Sequence, residues 1–183
     1  ALLNGRHRLG RALRVTAAAG AVAGTALLVA ELGRPERFLN MLRLCKPGSP
    51  MSVGSWLLAA HSGLTTAAAG SAVTGRLPAV GAAATLAGAV TGPLVATYTA
   101  VLVADTAVPA WHEARRELPF LFAGGALAAA GAAGMLAVPP AAAGPARAVA
   151  VAGAALETAA AAVLERRLGF LAEPYRRGSG GRR

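Results

Sequence analysis

A single cysteine, three histidines and eight acidic residues are nearly all that these 183 residues offer toward redox or metal chemistry. Cys45 has no second cysteine with which to close an internal disulfide, and there is no cysteine cluster to hold zinc or an iron–sulfur centre. Any electron carrier must come from elsewhere. Haem usually needs two axial ligands at facing depths, and His61 is the one histidine inside an apolar run. Charge is scarce as well, at 14% of residues against about a quarter in a soluble domain. No positively charged n-region, short apolar core and cleavage site follow Ala1, so the reading is of a fragment without a signal peptide. The apolar stretches lack the period-2 alternation of membrane-barrel strands, and no convincing internal repeat is found.

What is present is apolar. Hydrophobic residues make up 55% of the chain, and mean hydropathy is +0.53. Five runs approach the roughly 20 residues needed to cross about 30 Å of hydrocarbon: 13–32, 56–73, 77–103, 118–138 and 146–164. With barrels excluded, only helices satisfy every backbone group in lipid. The expected fold is all-α and integral to the membrane, a single bundle of about five spans followed by a basic tail over 165–183. Gly20 with Gly24, and Gly88 with Gly92, form GxxxG pairs that let helix backbones approach closely.

The net charge of +10 would ordinarily suggest nucleic acid, but the bases fall between or beyond the apolar runs and form no continuous basic face. No nucleic-acid partner is expected. Five spans put alternate connections on opposite sides. One side receives Arg6, Arg8, Arg11, Arg14, Arg76 and Arg147 and no acid; the other receives the remaining twelve bases and every acid except Glu157. Counting Lys and Arg alone, the twelve-base side is cytoplasmic, in a multi-pass protein of the bacterial inner membrane.

Several polar residues stand out within or beside the spans. Thr91, Tyr98 and Asp105 recur at steps of seven and share one stripe of the third span, where they can form a hydrogen-bonded route for a quinone carbonyl or a proton. Tyr98 as an interfacial belt residue and Asp105 as a solvated helix end are the plainer alternatives. Pro93 removes a donor from the same span and should kink it. Glu157 falls near the middle of the fifth span, so its carboxyl must be protonated, paired or set against a wet cavity. It is a candidate for proton binding, or the partner of a base on a helix outside this chain. His61, inside the second span with Ser62, Thr65 and Thr66 nearby, can relay protons or bond a quinone oxygen; a histidine donating to a neighbouring helix is the commoner case. Two loops on the mixed-charge side carry Glu31, Arg34, Glu36 and Arg37, and His112, Glu113, Arg115 and Arg116. They suit an ordered interfacial segment that meets lipid phosphates or docks a partner, with ion pairs lowering the cost of holding charge at the membrane edge.

With these loops in view, residues 31–40, 46–56, 97–120 and 164–177 closely resemble the NrfD/PsrC-like family, the membrane subunit of polysulfide reductase and related molybdopterin or formate-dehydrogenase-like complexes. Four separated motifs occur in the right order. The resemblance implies a non-catalytic membrane subunit with no prosthetic group of its own. It would exchange electrons between membrane menaquinone or ubiquinone and an iron–sulfur subunit docked on its face, which serves a molybdopterin-type catalytic subunit. Family members typically have eight or more spans in two four-helix bundles, so helices are expected before Ala1 and beyond Arg183. Tyr98, Asp105 and the loop from Glu31 to Arg37 fall in matching segments, without alignment to a particular quinone ligand. Two other functions stay open: translocation of protons or ions, suggested by Glu157, His61 and Pro93, and a purely structural membrane anchor.

Overall fold

The computed structural model describes residues 2–34 and 36–172, with side chains from His7 onward apart from that of Arg37. Residues 173–183, most of the expected basic tail, lie outside the described residues, as does the Arg37 side chain. Among the described residues there are seven α-helices and no strand: α1 (Leu2–Glu31), α2 (Arg37–Met41), α3 (Pro50–Thr74), α4 (Pro78–Ala104), α5 (Pro109–Glu113), α6 (Leu118–Leu136) and α7 (Gly144–Leu168). Five are long, and short 3-10 turns at Ala114–Arg116, Pro140–Ala142 and Gly169–Ala172 complete the chain path.

The long helices correspond to the five expected spans but overrun them. α3 begins at Pro50, six residues before the run at 56–73, because Ser49 caps it by accepting from the Ser52 amide (3.4 Å) and Pro50 is suited to the first helical turn. It stops at Gly75, whose φ of +69° takes the left-handed C-cap conformation that glycine adopts without steric cost. The Ser71 hydroxyl reaches the carbonyls of Arg76 (3.0 Å) and Leu77 (3.2 Å) and ties the tight turn into α4. α4 continues unbroken through Pro93.

Four of the five, namely α1, α4, α6 and α7, are apolar and long enough to cross a membrane. α3 has the length, but Ser52, Ser55, His61, Ser62, Thr65, Thr66 and Ser71 dilute its hydrophobicity. α3 packs along α4, α1 lies on α3, α4 meets α6, and α6 pairs with α7. α1 also touches α6, so α1, α3, α4 and α6 form a ring with α7 held by α6.

Packing is inverted relative to a soluble domain. Among the described residues no large side chain is fully buried, while Leu27, Leu86 and Val90 are 68%, 71% and 65% exposed. Lipid tails are as apolar as leucine, so large side chains gain nothing by turning inward, and close van der Waals approach of backbones holds the helices instead. The α6–α7 seam shows this directly. A Cβ added at Gly131 would press on the Ala146 carbonyl oxygen at 2.6 Å, one at Gly153 on the Gly124 carbonyl oxygen at 2.7 Å, and one at Gly134 on the Ala146 methyl at 2.9 Å. Of the two GxxxG pairs singled out in the sequence, Gly88 and Gly92 face Thr65 and His61 of α3. Gly20 and Gly24 meet nothing within 4 Å, so that pair plays no part in the packing described.

Each end of the bundle is closed by a small apolar cluster. Leu9, Val138, Ala143 and Ala146 gather at the acid-free end, and Ala100, Ala104, Ala114, Leu118, Leu164, Leu168 and Ala172 at the mixed-charge end.

Candidate functional site

α3 and α4 run antiparallel from the turn at Gly75, which brings the centre of one beside the centre of the other. There His61 Nδ1 lies 2.8 Å from the Thr91 hydroxyl. Thr91 also reaches its own helix carbonyl at Ala87 (3.1 Å), so its single proton has two destinations. When that proton goes to Ala87, His61 Nδ1–H donates to the Thr91 oxygen and Nε2 is left as an acceptor. When it goes to His61, Nε2 carries the hydrogen and donates. The ring edge packs over Gly92, where an added Cβ would stand 3.5 Å from Cε1. One residue along, Ser62 shares a hydrogen bond with Thr25 of α1 (3.2 Å), so three helices meet at this level through polar groups.

Thr91 and Tyr98 do share a face of α4, as their spacing predicts, and that face is the one against α3. The Tyr98 hydroxyl donates to the Pro50 carbonyl, and its ring occupies the space over Gly54 that any larger residue would fill. Tyr98 thereby fastens the second half of α4 to the first turn of α3. Asp105, the next residue on the stripe, is exposed at the α4 C-terminus and makes no side-chain hydrogen bond or ion pair among the described residues. Glu157 stands apart, on the α6–α7 seam. Its backbone lies against Gly124, and its carboxylate oxygens are 3.5 and 3.6 Å from where a Gly125 Cβ would be. The carboxyl is half-buried and has no hydrogen-bond partner among the described residues.

The mixed-charge loops are ordered by short helices. Glu31, Arg34 and Glu36 are exposed around the turn between α1 and α2. The Ser52 hydroxyl accepts from the Lys46 amide (3.0 Å) and donates to the Leu44 carbonyl (3.0 Å), folding the approach to α3 back on itself. His112 of α5 donates through Nδ1 to the Ala104 carbonyl at the end of α4 (3.2 Å). Arg115 and Arg116 are exposed.

The ion pair of this region joins residues that sequence reasoning did not single out. Arg167, near the end of α7, binds Glu117 at the start of α6 through two nitrogens: Nε to Oε1 at 2.6 Å and Nη2 to Oε2 at 2.8 Å. It also donates to the Glu113 carbonyl. The sequence signal was available, because two antiparallel helices joined by a short link place the first residue of one beside the last turn of the other. Instead of pairing within a loop, the charges bridge two helices.

Comparison with known proteins adds one finding. The family model described as "Polysulphide reductase, NrfD" matches residues 6–153. No curated protein and no solved structure matches the chain. The match covers α1 through the first part of α7, and so includes the His61–Thr91 pair and both mixed-charge loops. With its long apolar helices and charges at their ends, the chain is a multi-pass protein of the cell membrane. It belongs to the NrfD polysulphide reductase family, whose members are membrane subunits of polysulfide-reductase-like complexes.

Proposed function

We propose that this chain is the quinone-interacting subunit of a respiratory oxidoreductase complex. It passes electrons between membrane menaquinone or ubiquinone and an iron–sulfur subunit docked on the mixed-charge face, and that subunit serves a molybdopterin-type catalytic subunit. The chain contributes no redox group of its own. Family membership over residues 6–153 carries the reading.

His61 is the residue best suited to meet the quinone. Oxidation of a quinol releases two electrons and two protons, so its ligand must accept from a hydroxyl and then donate to the resulting carbonyl. With its Nδ1–H held on the Thr91 oxygen, His61 presents Nε2 as the acceptor; taking one of the two quinol protons there makes the ring an imidazolium, whose Nε2–H then donates to the carbonyl without moving the ring. Tyr98 cannot match this, since its one proton is held by Pro50; its part is to keep α4 registered on α3. Asp105, exposed at the membrane edge, can hand protons to water.

The test is quinone-linked turnover of the full-length complex beside turnover with a soluble dye that bypasses the membrane subunit. His61→Ala should lower the first by about a hundred-fold, the scale of one lost acid–base group, and leave the second unchanged. Full quinone-linked activity in His61→Ala, Tyr98→Phe and Asp105→Asn alike would sink the site assignment.

A second reading, proton translocation, is favoured by the carboxyl of Glu157 midway along α7 without a partner among the described residues. It requires proton flux in liposomes that Glu157→Gln abolishes.

A further inference from the structure

A cleft of about 350 Å³ opens between α1, α3 and α4 on the acid-free half of the bundle. Leu13, Ala17, Ala68, Ala84 and Ala89 line it, together with Thr65 and Thr85. Both threonine hydroxyls turn back to their own helix carbonyls, at His61 (2.9 Å) and Gly81 (2.6 Å), so their hydrogens are committed to the backbone. Arg14 is the one charged residue in the wall. It is half-buried and has no acidic partner among the described residues.

Depth in the bilayer follows from the Thr25–Ser62 hydrogen bond, which sets those two residues, and His61 beside them, at one level. From position 25 back to position 14, α1 rises about 16 Å. That is roughly half of a ~30 Å hydrocarbon layer. With His61 midway along α3, the cleft spans one leaflet, from the headgroup boundary at Arg14 to the midplane. An arginine at the mouth of an apolar groove one leaflet deep is complementary to an anionic head joined to a hydrocarbon chain. The exposed Arg11 and Arg76 lie toward the same end, where the described acids are absent.

We propose that this cleft holds one anionic phospholipid, its phosphate on Arg14 and an acyl chain laid along α1, α3 and α4 toward His61. The lipid supplies the packing that α1 lacks on its sparsely buried face, and it leaves the inner end, at His61, to the quinone.

The full-length protein in its complex, reconstituted in bilayers of equal phosphatidylglycerol and phosphatidylcholine, then stripped with detergent and weighed by native mass spectrometry, provides the test. Wild type should keep one phosphatidylglycerol per chain and no phosphatidylcholine. Arg14→Gln should reduce that retention at least about ten-fold, the equivalent of roughly 1.4 kcal/mol, while Arg14→Lys keeps most of it. Ala89→Phe, which fills the groove from an exposed position and leaves Arg14 intact, should also expel the lipid. Equal retention in Arg14→Gln and wild type, equal retention of both lipids, or recovery of quinone in place of phospholipid would overturn the proposal. The dye and quinone assays above do not depend on this result, so the two proposals fail separately.

Discussion

Glu117 is only 8% exposed although it stands at the charged edge of the membrane, and the bidentate arginine explains how its charge is kept there. Removing one partner from such a pair leaves the other desolvated. Arg167 is about a third exposed, so water recovers part of the loss, and Arg167→Met should cost about 1–2 kcal/mol of stability. Pairing it with Glu117→Gln should restore some of that, read as a double-mutant cycle by thermal unfolding in detergent. Tyr98 separates in the same way into a hydrogen bond and a ring. Tyr98→Phe keeps the ring over Gly54 and should lose about 0.5–1.5 kcal/mol, whereas Gly54→Ala displaces the ring and should lose more. The sequence made Tyr98 and His61 conspicuous, because polar groups are rare in these spans. It could not say that one donates to a backbone carbonyl while the other shares a proton with Thr91. That depends on which faces of α3 and α4 meet, and the even spread of alanine and glycine around both helices conceals those faces.

At the level of helices, existence and order were legible because apolar length is read directly, but the contacts were not. The overt GxxxG motif at Gly20 and Gly24 meets nothing, while the seam between α6 and α7 uses Gly124, Gly131 and Gly153, whose spacing matches no short motif. In a chain with 23 glycines, motif occurrence carries little information, and only the partner helix decides which glycines are filled against. Gly131→Ala and Gly153→Ala should therefore each destabilise the protein by roughly 1–3 kcal/mol through contact with the facing backbone. Gly20→Ala should leave the unfolding temperature unchanged or raise it, since alanine is the better helix former. A loss of stability in Gly20→Ala equal to that in Gly153→Ala would refute this account of the seam. The turn between α3 and α4 gives a converse case, for Leu77 adopts φ of +54°, a conformation costly to a leucine. Leu77→Asn should relieve part of that strain and stabilise the protein by a few tenths of a kcal/mol to about 1 kcal/mol.

For the molecule as a whole, the decisive question is whether α3 crosses the bilayer, since it is the one long helix not apolar enough to declare itself. Its serine and threonine hydroxyls answer in part. Those of Ser55, Thr65 and Thr74 bond to carbonyls of their own helix, Ser62 bonds to α1, and His61 to α4, so most of the polar groups that lower its hydropathy find partners within the bundle, the exposed Thr66 being the exception among the described residues. A helix whose donors are satisfied internally is tolerated in lipid despite its composition. If α3 spans, the connections at its two ends lie on opposite sides of the membrane, and the chain's single cysteine makes this measurable. Cys45, exposed just before α3, should react with a membrane-impermeant maleimide from the cytoplasmic side, where the excess of Lys and Arg places the mixed-charge face. In a Cys45→Ser background, Arg76→Cys, just after α3, should react only from the other side. Labelling of both positions from the same side would return α3 to the surface. It would also reverse every helix after it and divide the charges that the alternation of spans has gathered onto two faces.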